Sequence, residues 1–332
     1  IGPACAALFA AEVSTSPPVR PPTAPVRPPA AAVQAEPQEK LFHKPGLVYF
    51  WALNDDCGNA KIDSFIEAFA KGDAAAVCLH PRSGLLKPYG GDAWFDFIRR
   101  TVERCAARGL DVWLYDEDPF PSGNAGGWVT LERPEFRAME IKRYEPAPAP
   151  ESPGLYCCPA GVPLWCGLVN ETSGETVDLT RQVGLVRRKW VKLDPWDSRY
   201  YYPATPLYPC PRAWSTDPEL AVEVKQVPAG FKLLALVAQP VAGEAWGAEP
   251  DRLNPEATQA FLRHTHERYF SVVGQHFGKT VRAIFTDEPK YSSRFPWTRS
   301  MFEDFRTRFG YELPPRLWRL FAGTMDETSV LT

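Results

Sequence analysis

The stretch GLVYFWALN, Gly46 to Asn54, opens the part of the chain that decides the fold. It is a short run of apolar and aromatic residues, which is typical of a buried β-strand. The residues after it predict an amphipathic helix, with Asp63 as its N-cap and Gly72 just past its end. A second apolar run, AAAVCLH from Ala74 to His80, predicts the next strand.

The same alternation of strand and helix continues along the chain. Asp92 is predicted to cap a second helix that ends before Gly109, and LDVWLYDED then predicts a third strand. An N-cap at Asn254 and a proline at Pro255 predict a further helix, and VRAIFTDEP, Val281 to Pro289, predicts a fourth strand. Strands and helices joined by short links are typical of a parallel sheet covered by helices.

Between these two parts, prolines and short alternating runs predict an inserted β-rich module. The predicted domains are a Pro/Ala-rich disordered linker or targeting remnant over 1–42, the first part of a (β/α) barrel over 43–136, the β-rich insertion over 137–248, and a truncated continuation of the barrel over 249–332. An eight-fold barrel needs about 250 residues of strand–helix units. The expected fold class is therefore α/β, of the (β/α)8 TIM-barrel type, with only the first half of the barrel present.

Composition narrows the classes of function. The chain has 332 residues, of which 45% are hydrophobic, and a formal net charge of -3. This charge gives no reason to expect a nucleic acid or an anionic membrane surface as partner. No apolar run is long enough to span a bilayer. The 11 tryptophans fit either a hydrophobic core or a site where sugars stack on indole rings.

The N-terminal stretch IGPACAALFAA fits either the end of a signal peptide or the ragged edge of a fragment. A secreted or periplasmic location and a cytoplasmic one therefore both stay open. The eight cysteines include no CxxC pair, so a zinc site is not expected. Cys78 and Cys105 lie in periodic apolar segments and are predicted to be buried thiols.

Polar residues gather where each predicted strand ends. In parallel α/β folds, sites form at the C-terminal ends of the strands. The residues at these ends are Asn54 and Asp55, then His80 and Arg82, then Tyr115, Asp116, Glu117 and Asp118, and finally Asp287 and Glu288. Such a concentration at one edge of the sheet predicts a binding or catalytic site.

Glu288 and its neighbour Asp287 are the candidate catalytic residues. Glycoside hydrolysis generally uses two carboxyl groups, one that protonates the leaving oxygen and one that acts as base or nucleophile. Glu288 ends an apolar run and Pro289 fixes the chain just after it. The alternative is structural: either acid caps the next helix or pairs with Arg282 or Arg294.

Strand alternation predicts that Asp116 and Asp118 face one side of the third strand and Glu117 the other. One face would then bind sugar hydroxyls, while the other meets Arg82 or a helix N-terminus. A Ca²⁺ site is the alternative use of such acids, although no EF-hand spacing is present. His80 fits either an acid/base or sugar-binding role, or a purely structural one.

These motifs resemble a known family. VYFWALND, YDEDPFPSGNAGG, IFTDEP and FPWT…FEDFRTRFGYEL are similar to the barrel domain of glycoside hydrolases related to family 106, the α-L-rhamnosidase group. The resemblance covers roughly residues 45–135 and 250–322. It implies a (β/α)8 barrel that hydrolyses glycosidic bonds in plant or microbial oligo- or polysaccharides, in some members with Ca²⁺ near the sugar.

By motif match, the resemblance gives Glu288 a catalytic-carboxylate role as general acid. It places the third-strand acids at the sugar or cation site and the second catalytic carboxylate on later strands. No resident cofactor is expected, with Ca²⁺ as the alternative. A non-catalytic carbohydrate-binding protein or pseudoenzyme, which lacks the second carboxylate, is the competing interpretation of the chain.

Overall fold

The computed structural model describes residues 45–118, 120–149, 152–186, 191–192, 212–213, 219–241 and 249–321. All of them belong to one compact unit, Lys40–Thr324. In chain order the elements are β1 (Val48–Leu53), α1 (Asn59–Lys71), β2 (Ala76–Pro81), α2 (Asp92–Ala107), β3 (Asp111–Tyr115), α3 (Trp128–Glu132), β4 (Met139–Tyr144), β5 (Ala147–Pro148), β6 (Leu155–Pro159), β7 (Val162–Val169), β8 (Thr176–Asp178), β9 (Gly184–Val186), β10 (Val191–Lys192), β11 (Arg212–Ala213), β12 (Glu219–Glu223), β13 (Lys232–Pro240), α4 (Pro255–Leu262), α5 (Arg268–Val273), β14 (Val281–Phe285), β15 (Pro296–Trp297), α6 (Met301–Phe309) and α7 (Pro314–Phe321).

The first three strands of the chain form a four-stranded sheet together with β14. Its strands are parallel and lie in the order β1, β2, β3, β14. Alternate residues of each strand, such as Val77 and Leu79 on β2 or Val112 and Leu114 on β3, enter a fully buried core. Helices α1, α2 and α5 supply the other side of that core, with Ile66, for example, from α1. The predicted α/β arrangement is confirmed in this part of the chain.

Two helix starts differ from the sequence prediction. Helix α1 begins at Asn59 after an N-cap at Gly58, so Asp63 lies inside the helix and not at its cap. There the Asp63 carboxylate pairs with Arg104 of α2. Helix α2 has Gly91 as its N-cap, which places Asp92 in the first turn. A carboxylate in the first turn still interacts favourably with the helix dipole.

Two larger antiparallel sheets are formed mainly by the strands between β3 and α4. One has the order β15, β4, β13, β7, β8 and the other the order β5, β6, β12, β9. Their facing sides share an apolar core that includes Cys158 and Val222 from one sheet and Cys166 and Val237 from the other. We call this two-sheet part the β-module. It matches the β-rich insertion expected from the sequence, although the predicted domain bounds stay predictions.

Helices α6 and α7 pack on the β-module. Leu317 and Trp318 of α7 are buried against Trp165, Leu234 and other residues on the outer side of the five-stranded sheet. Strand β15 also joins that sheet by pairing with β4. The segment after β14, expected to continue the barrel, thus packs on the inserted module.

The concave side of the parallel sheet holds a closed ring of aromatic contacts. Phe50 contacts His80 at 5.2 Å between ring centroids, His80 contacts Tyr115 at 4.2 Å, and Tyr115 stacks on Phe285 at 5.9 Å. Phe285 then contacts Phe50 at 5.1 Å. These side chains come from four successive strands, and in a flat sheet the outer two would be about 14 Å apart. The sheet therefore curls around these rings.

The described strands form an open, curved sheet and do not close into a barrel. The closed eight-stranded TIM barrel therefore stays a prediction. The predicted linker over 1–42 lies outside the described residues. Cys78 and Cys105 are both buried, as predicted. None of the helices in the described ranges is long and apolar enough to cross a membrane.

Candidate functional site

The site lies at the C-terminal edge of the parallel sheet, where β3 and β14 end side by side. The hydroxyl group of Tyr115 donates a 2.6 Å hydrogen bond to Oδ2 of Asp287. Burial, followed by this bond to Asp287, raises the pKa of Tyr115 above its usual range, so the phenol keeps its proton. Tyr115 is the last residue of β3, and Asp287 lies two residues past the end of β14.

Asp116 connects the two loops that follow β3 and β14. Its side chain is fully buried, and its two oxygens accept 2.6 Å hydrogen bonds from Ser122 Oγ and Thr286 Oγ1. Burial raises the pKa of Asp116, while the two hydroxyl donors lower it. Both oxygens have protein partners, so the geometry gives Asp116 a structural role at the base of the site.

Glu117 is surrounded by backbone donors. Its Oε1 accepts hydrogen bonds from the N–H groups of residues 118 and 126, and its Oε2 from those of residues 123, 124 and 125, at 2.5–2.9 Å. The side chain is fully buried. Burial raises the pKa of Glu117 to about 7, and the backbone N–H groups act in the opposite direction. We call this arrangement the Glu117 loop clamp, because the carboxyl group holds residues 118–126 in one turn.

The structure corrects the predicted alternation of the three acids. Strand β3 ends at Tyr115, so Asp116, Glu117 and Asp118 lie in the following loop and are not distributed over two faces of a strand. The inward partner of Glu117 is a turn of backbone N–H groups, where the sequence suggested Arg82 or a helix N-terminus. Asp118 is partly buried, and burial raises its pKa.

Ser122 fixes the start of the segment that carries Glu288. Its backbone N–H donates to the carbonyl oxygen of Asp287, and the backbone N–H of Asp287 donates to Ser122 Oγ, both at 2.8 Å. Since Ser122 Oγ also donates to Asp116, one hydroxyl group links both loops. Neither Ser122 nor Thr286 was singled out from the sequence, because their role depends on contacts between distant segments.

Glu288 stands apart from this network. It is exposed and has a φ of +42°, in the left-handed region that residues other than glycine rarely adopt. Within the described part of the chain, it makes no hydrogen bond or ion pair. The structural alternative is not observed: Arg282 lies near Asp111 and Arg294 lies over the ring of Phe295. Strained backbone of this kind is concentrated at functional sites.

His80 and Arg82 lie at the end of β2. The His80 side chain is 8% exposed and its ring contacts Tyr115. Burial and, to a lesser degree, the charge of Arg82 lower the pKa of His80, while Asp287 raises it. His80 is therefore a neutral imidazole in the middle of the site, and Arg82 is exposed at its rim.

Asn54 and Asp55 follow β1, at the other edge of the sheet. Asn54 is exposed, whereas Asp55 accepts a 2.7 Å hydrogen bond from the Cys57 N–H and pairs with Lys61. A cavity of about 70 Å³ lies beside Asn54, Asp55 and Lys61. The Asp55 carboxylate thus has partners within its own loop, while Asn54 is open to solvent.

The described part of the chain contains no candidate metal site. Among the residues the structure describes, no group of three or more His, Cys, Asp or Glu side chains is arranged to hold a metal ion. The acids of the loop after β3 show why: the oxygens of Asp116 and Glu117 are directed at N–H and O–H donors.

Comparison with known proteins supports the resemblance found in the motifs. Residues 220–329 match the sequence profile of glycoside hydrolase family 106, described as alpha-L-rhamnosidase. The resemblance to this family is thereby confirmed over a segment that includes β14 and Glu288. No curated protein matches the chain.

Among solved structures, a rhamnosidase from Novosphingobium sp. PP1Y is similar to this chain, with 13% sequence identity and a TM-score of 0.45. The similarity covers 85% of this chain and 41% of that one. The chain therefore spans less than half of the length of that protein.

Proposed function

We propose that this chain is part of a glycoside hydrolase that acts on α-L-rhamnosides, with Glu288 as the general acid. The observation that carries the proposal is the family match over residues 220–329, which includes Glu288 in the motif IFTDEP. The position of Glu288 supports it, because an exposed carboxyl group at a strand end has access to a bound sugar. Its unusual backbone angle is further support.

In this mechanism Glu288 gives its proton to the glycosidic oxygen while the bond between that oxygen and the anomeric carbon breaks. Water then adds to the anomeric carbon, and a second carboxylate takes the proton of that water. Asp287 is our candidate for this second group. Its Oδ2 accepts the Tyr115 hydrogen bond, which fixes the orientation of the carboxyl group next to Glu288.

We choose the candidate sugar-binding residues by the exposure of their side chains and by their ability to form hydrogen bonds. Asn54 and Arg82 are exposed, and His80 presents a neutral ring that can donate to or accept from a hydroxyl group. Phe120 lies in the loop after β3 and Tyr291 lies three residues after Glu288; they are 38% and 53% exposed and offer aromatic faces. Asp55, Asp116 and Glu117 have protein partners, so we assign them to the support of the site.

We further propose that the curved parallel sheet is one wall of a (β/α)8 barrel. The ring formed by Phe50, His80, Tyr115 and Phe285 supports this, because side chains meet across the concave side of the sheet. Barrel interiors are filled by layers of side chains from several strands. The substrate would then bind above this layer, at the mouth of the barrel.

A specific observation favours the competing function, a non-catalytic carbohydrate-binding protein. Of the acids singled out from the sequence, Asp55, Asp116 and Glu117 all have internal partners. Asp287, which itself accepts a hydrogen bond from Tyr115, and the partly buried Asp118 are then the remaining candidates for a second carboxylate. In that case the protein would bind rhamnosides without hydrolysing them.

The deciding experiment compares the full-length gene product with its Glu288→Gln variant on aryl α-L-rhamnosides. General acid catalysis contributes about 10²–10⁴-fold, so we expect a loss of that size in kcat/KM on a substrate with a poor leaving group. A nitrophenyl leaving group needs less protonation and should recover most of the loss. Glu312→Gln, an exposed change in the loop before α7, serves as the control.

Two other outcomes would overturn the assignment. Equal activity of the Glu288→Gln variant and the unchanged chain would remove Glu288 from the mechanism. Calorimetric binding of rhamnosides by the full-length gene product without any hydrolysis would establish the carbohydrate-binding alternative.

A further inference from the structure

Arg252 connects the two segments on either side of Glu288, although it lies outside every motif found in the sequence. Its Nη1 donates a 2.7 Å hydrogen bond to the carbonyl oxygen of Lys290, and its Nη2 donates a 2.9 Å bond to that of Ser122. The side chain is only 13% exposed. A buried guanidinium group that bridges two backbone carbonyls holds their positions relative to each other.

Both carbonyls belong to segments that determine where Glu288 lies. Ser122 is joined to Asp287 by two backbone-mediated hydrogen bonds, and Lys290 follows Glu288 by two residues. Residues 287–290 are thus held from one end by Ser122 and from the other by Arg252. Such double support suits a residue whose φ of +42° is unfavourable by itself, because the surroundings must maintain it.

Acidic neighbours stabilise the buried charge of Arg252. Glu249 Oε2 lies 3.8 Å from Nη1, and Glu249 also accepts a hydrogen bond from Ser292. Burial lowers the pKa of Arg252, and the charges of Glu249 and Glu117 oppose this. The Arg252 segment therefore contacts the loop after Glu288 at residues 290 and 292.

Gly123 gives the guanidinium group its space. A Cβ atom at this position would lie 2.7 Å from Nε and 2.8 Å from Nη2 of Arg252. The φ of Gly123 is +133°, a conformation that other residues rarely adopt. Gly123, the first glycine of PSGNAGG, thus permits both the turn and the close approach of Arg252.

We infer that Arg252 is a positioning residue for Glu288, with Gly123 as the residue that admits it. The inference rests on the proposed function, because it assumes that Glu288 donates a proton. Arg252 acts through backbone carbonyls, and it has no contact with the substrate in this role. Lysine cannot replace it, since one ammonium group lacks the planar fork that reaches two carbonyls.

The test is the Arg252→Lys variant of the full chain, assayed with phenyl and nitrophenyl α-L-rhamnosides. A misplacement of about 1 Å can cost on the order of 10²-fold in rate. We expect kcat/KM to fall at least about tenfold more on the phenyl than on the nitrophenyl substrate, since only the former depends strongly on the proton. The ratio of the two values does not depend on the fraction of folded protein.

A second variant covers the case in which Arg252→Lys does not fold. Gly123→Ala keeps the arginine in the sequence, but its new Cβ atom would push the guanidinium group out of position. This variant should shift the ratio of the two kcat/KM values in the same direction. Arg99→Lys, an exposed change on α2, is the matched control and should leave the ratio unchanged.

The outcomes separate the inference from the proposed function. An equal loss on both substrates would overturn the positioning role and leave Arg252 a purely structural residue. If Glu288→Gln gives the leaving-group effect and both Arg252→Lys and Gly123→Ala do not, only the inference fails. If Glu288→Gln itself has no effect, the proposed function fails first.

Discussion

The hydroxyl group of Tyr115 donates to the carboxylate of Asp287 across two neighbouring parallel strands, at 2.6 Å. This bond joins the end of β3 to the segment that carries Glu288. The other oxygen of that carboxylate, Oδ1, does not bond to Tyr115. Asp287 is therefore held in one orientation while part of its carboxylate stays available.

The first prediction concerns Tyr115→Phe. Removal of the hydroxyl group deprives Asp287 of a hydrogen bond to a charged acceptor, a loss of about 1.5–3 kcal/mol. We expect kcat/KM on aryl rhamnosides to fall by roughly 10–100-fold, which is the same free energy expressed as a rate. Circular dichroism checks that the ring still packs between His80 and Phe285. Unchanged activity would exclude Asp287 from the mechanism.

The second prediction concerns the Glu117 loop clamp. Glu117→Gln places an amide NH2 group among backbone N–H donors, so buried donors lose their acceptor. We expect the free energy of unfolding to fall by about 2–4 kcal/mol, measured by urea denaturation. Glu103→Gln on the exposed face of α2 is the control and should change it by less than about 0.5 kcal/mol. Equal effects of the two changes would contradict the clamp.

The third prediction is a set of pKa changes at His80. Burial and Arg82 lower its pKa below the usual 6.5, and Asp287 raises it. We expect Arg82→Gln to raise the His80 pKa and Asp287→Asn to lower it further, as measured by NMR titration of the imidazole. Shifts of the same sign in both variants would contradict this arrangement.

The lowered pKa of His80 also has a consequence for stability. At pH values between the lowered pKa of the folded state and 6.5, His80 binds fewer protons in the folded protein than in the unfolded chain. His80 therefore reduces stability as the pH falls through that window. In Arg82→Gln this loss should be smaller, which urea denaturation at several pH values measures.

The fourth prediction concerns metal removal. The oxygens of Asp116 and Glu117 accept protein hydrogen bonds, while Ca²⁺ requires several free oxygen ligands. We expect treatment with a chelator, followed by added Ca²⁺, to change kcat/KM by no more than about a factor of two, since the described residues include no set of ligands arranged for a metal ion. A large loss that Ca²⁺ restores would show that a cation takes part.

Much of the fold could be predicted from apolar periodicity. The strands at Val48–Leu53 and Ala76–Pro81 and the N-cap at Asn254 follow directly from local sequence. The start of α1 was placed too late, because Gly58 offers no side-chain signal for a cap. The packing of α7 on the β-module was also not predictable, since an amphipathic helix does not specify which sheet it covers.

The site was predictable in its location but not in its internal contacts. Strand ends pointed to Asp287 and Glu288, and both lie at the edge of the parallel sheet. The roles of Ser122 and Arg252 were missed because their partners are backbone carbonyl and N–H groups in distant segments. No spacing in the sequence encodes such contacts.

The Glu117 loop clamp makes the turn after β3 resemble an anion-binding site. Its N–H groups converge on one point, as they do in proteins that capture free anions. Here the anion is covalently attached to the chain and cannot leave. In a Glu117→Ala variant the turn would become an empty anion receptor. Acetate or formate added to the solution would then be a guest that restores the turn.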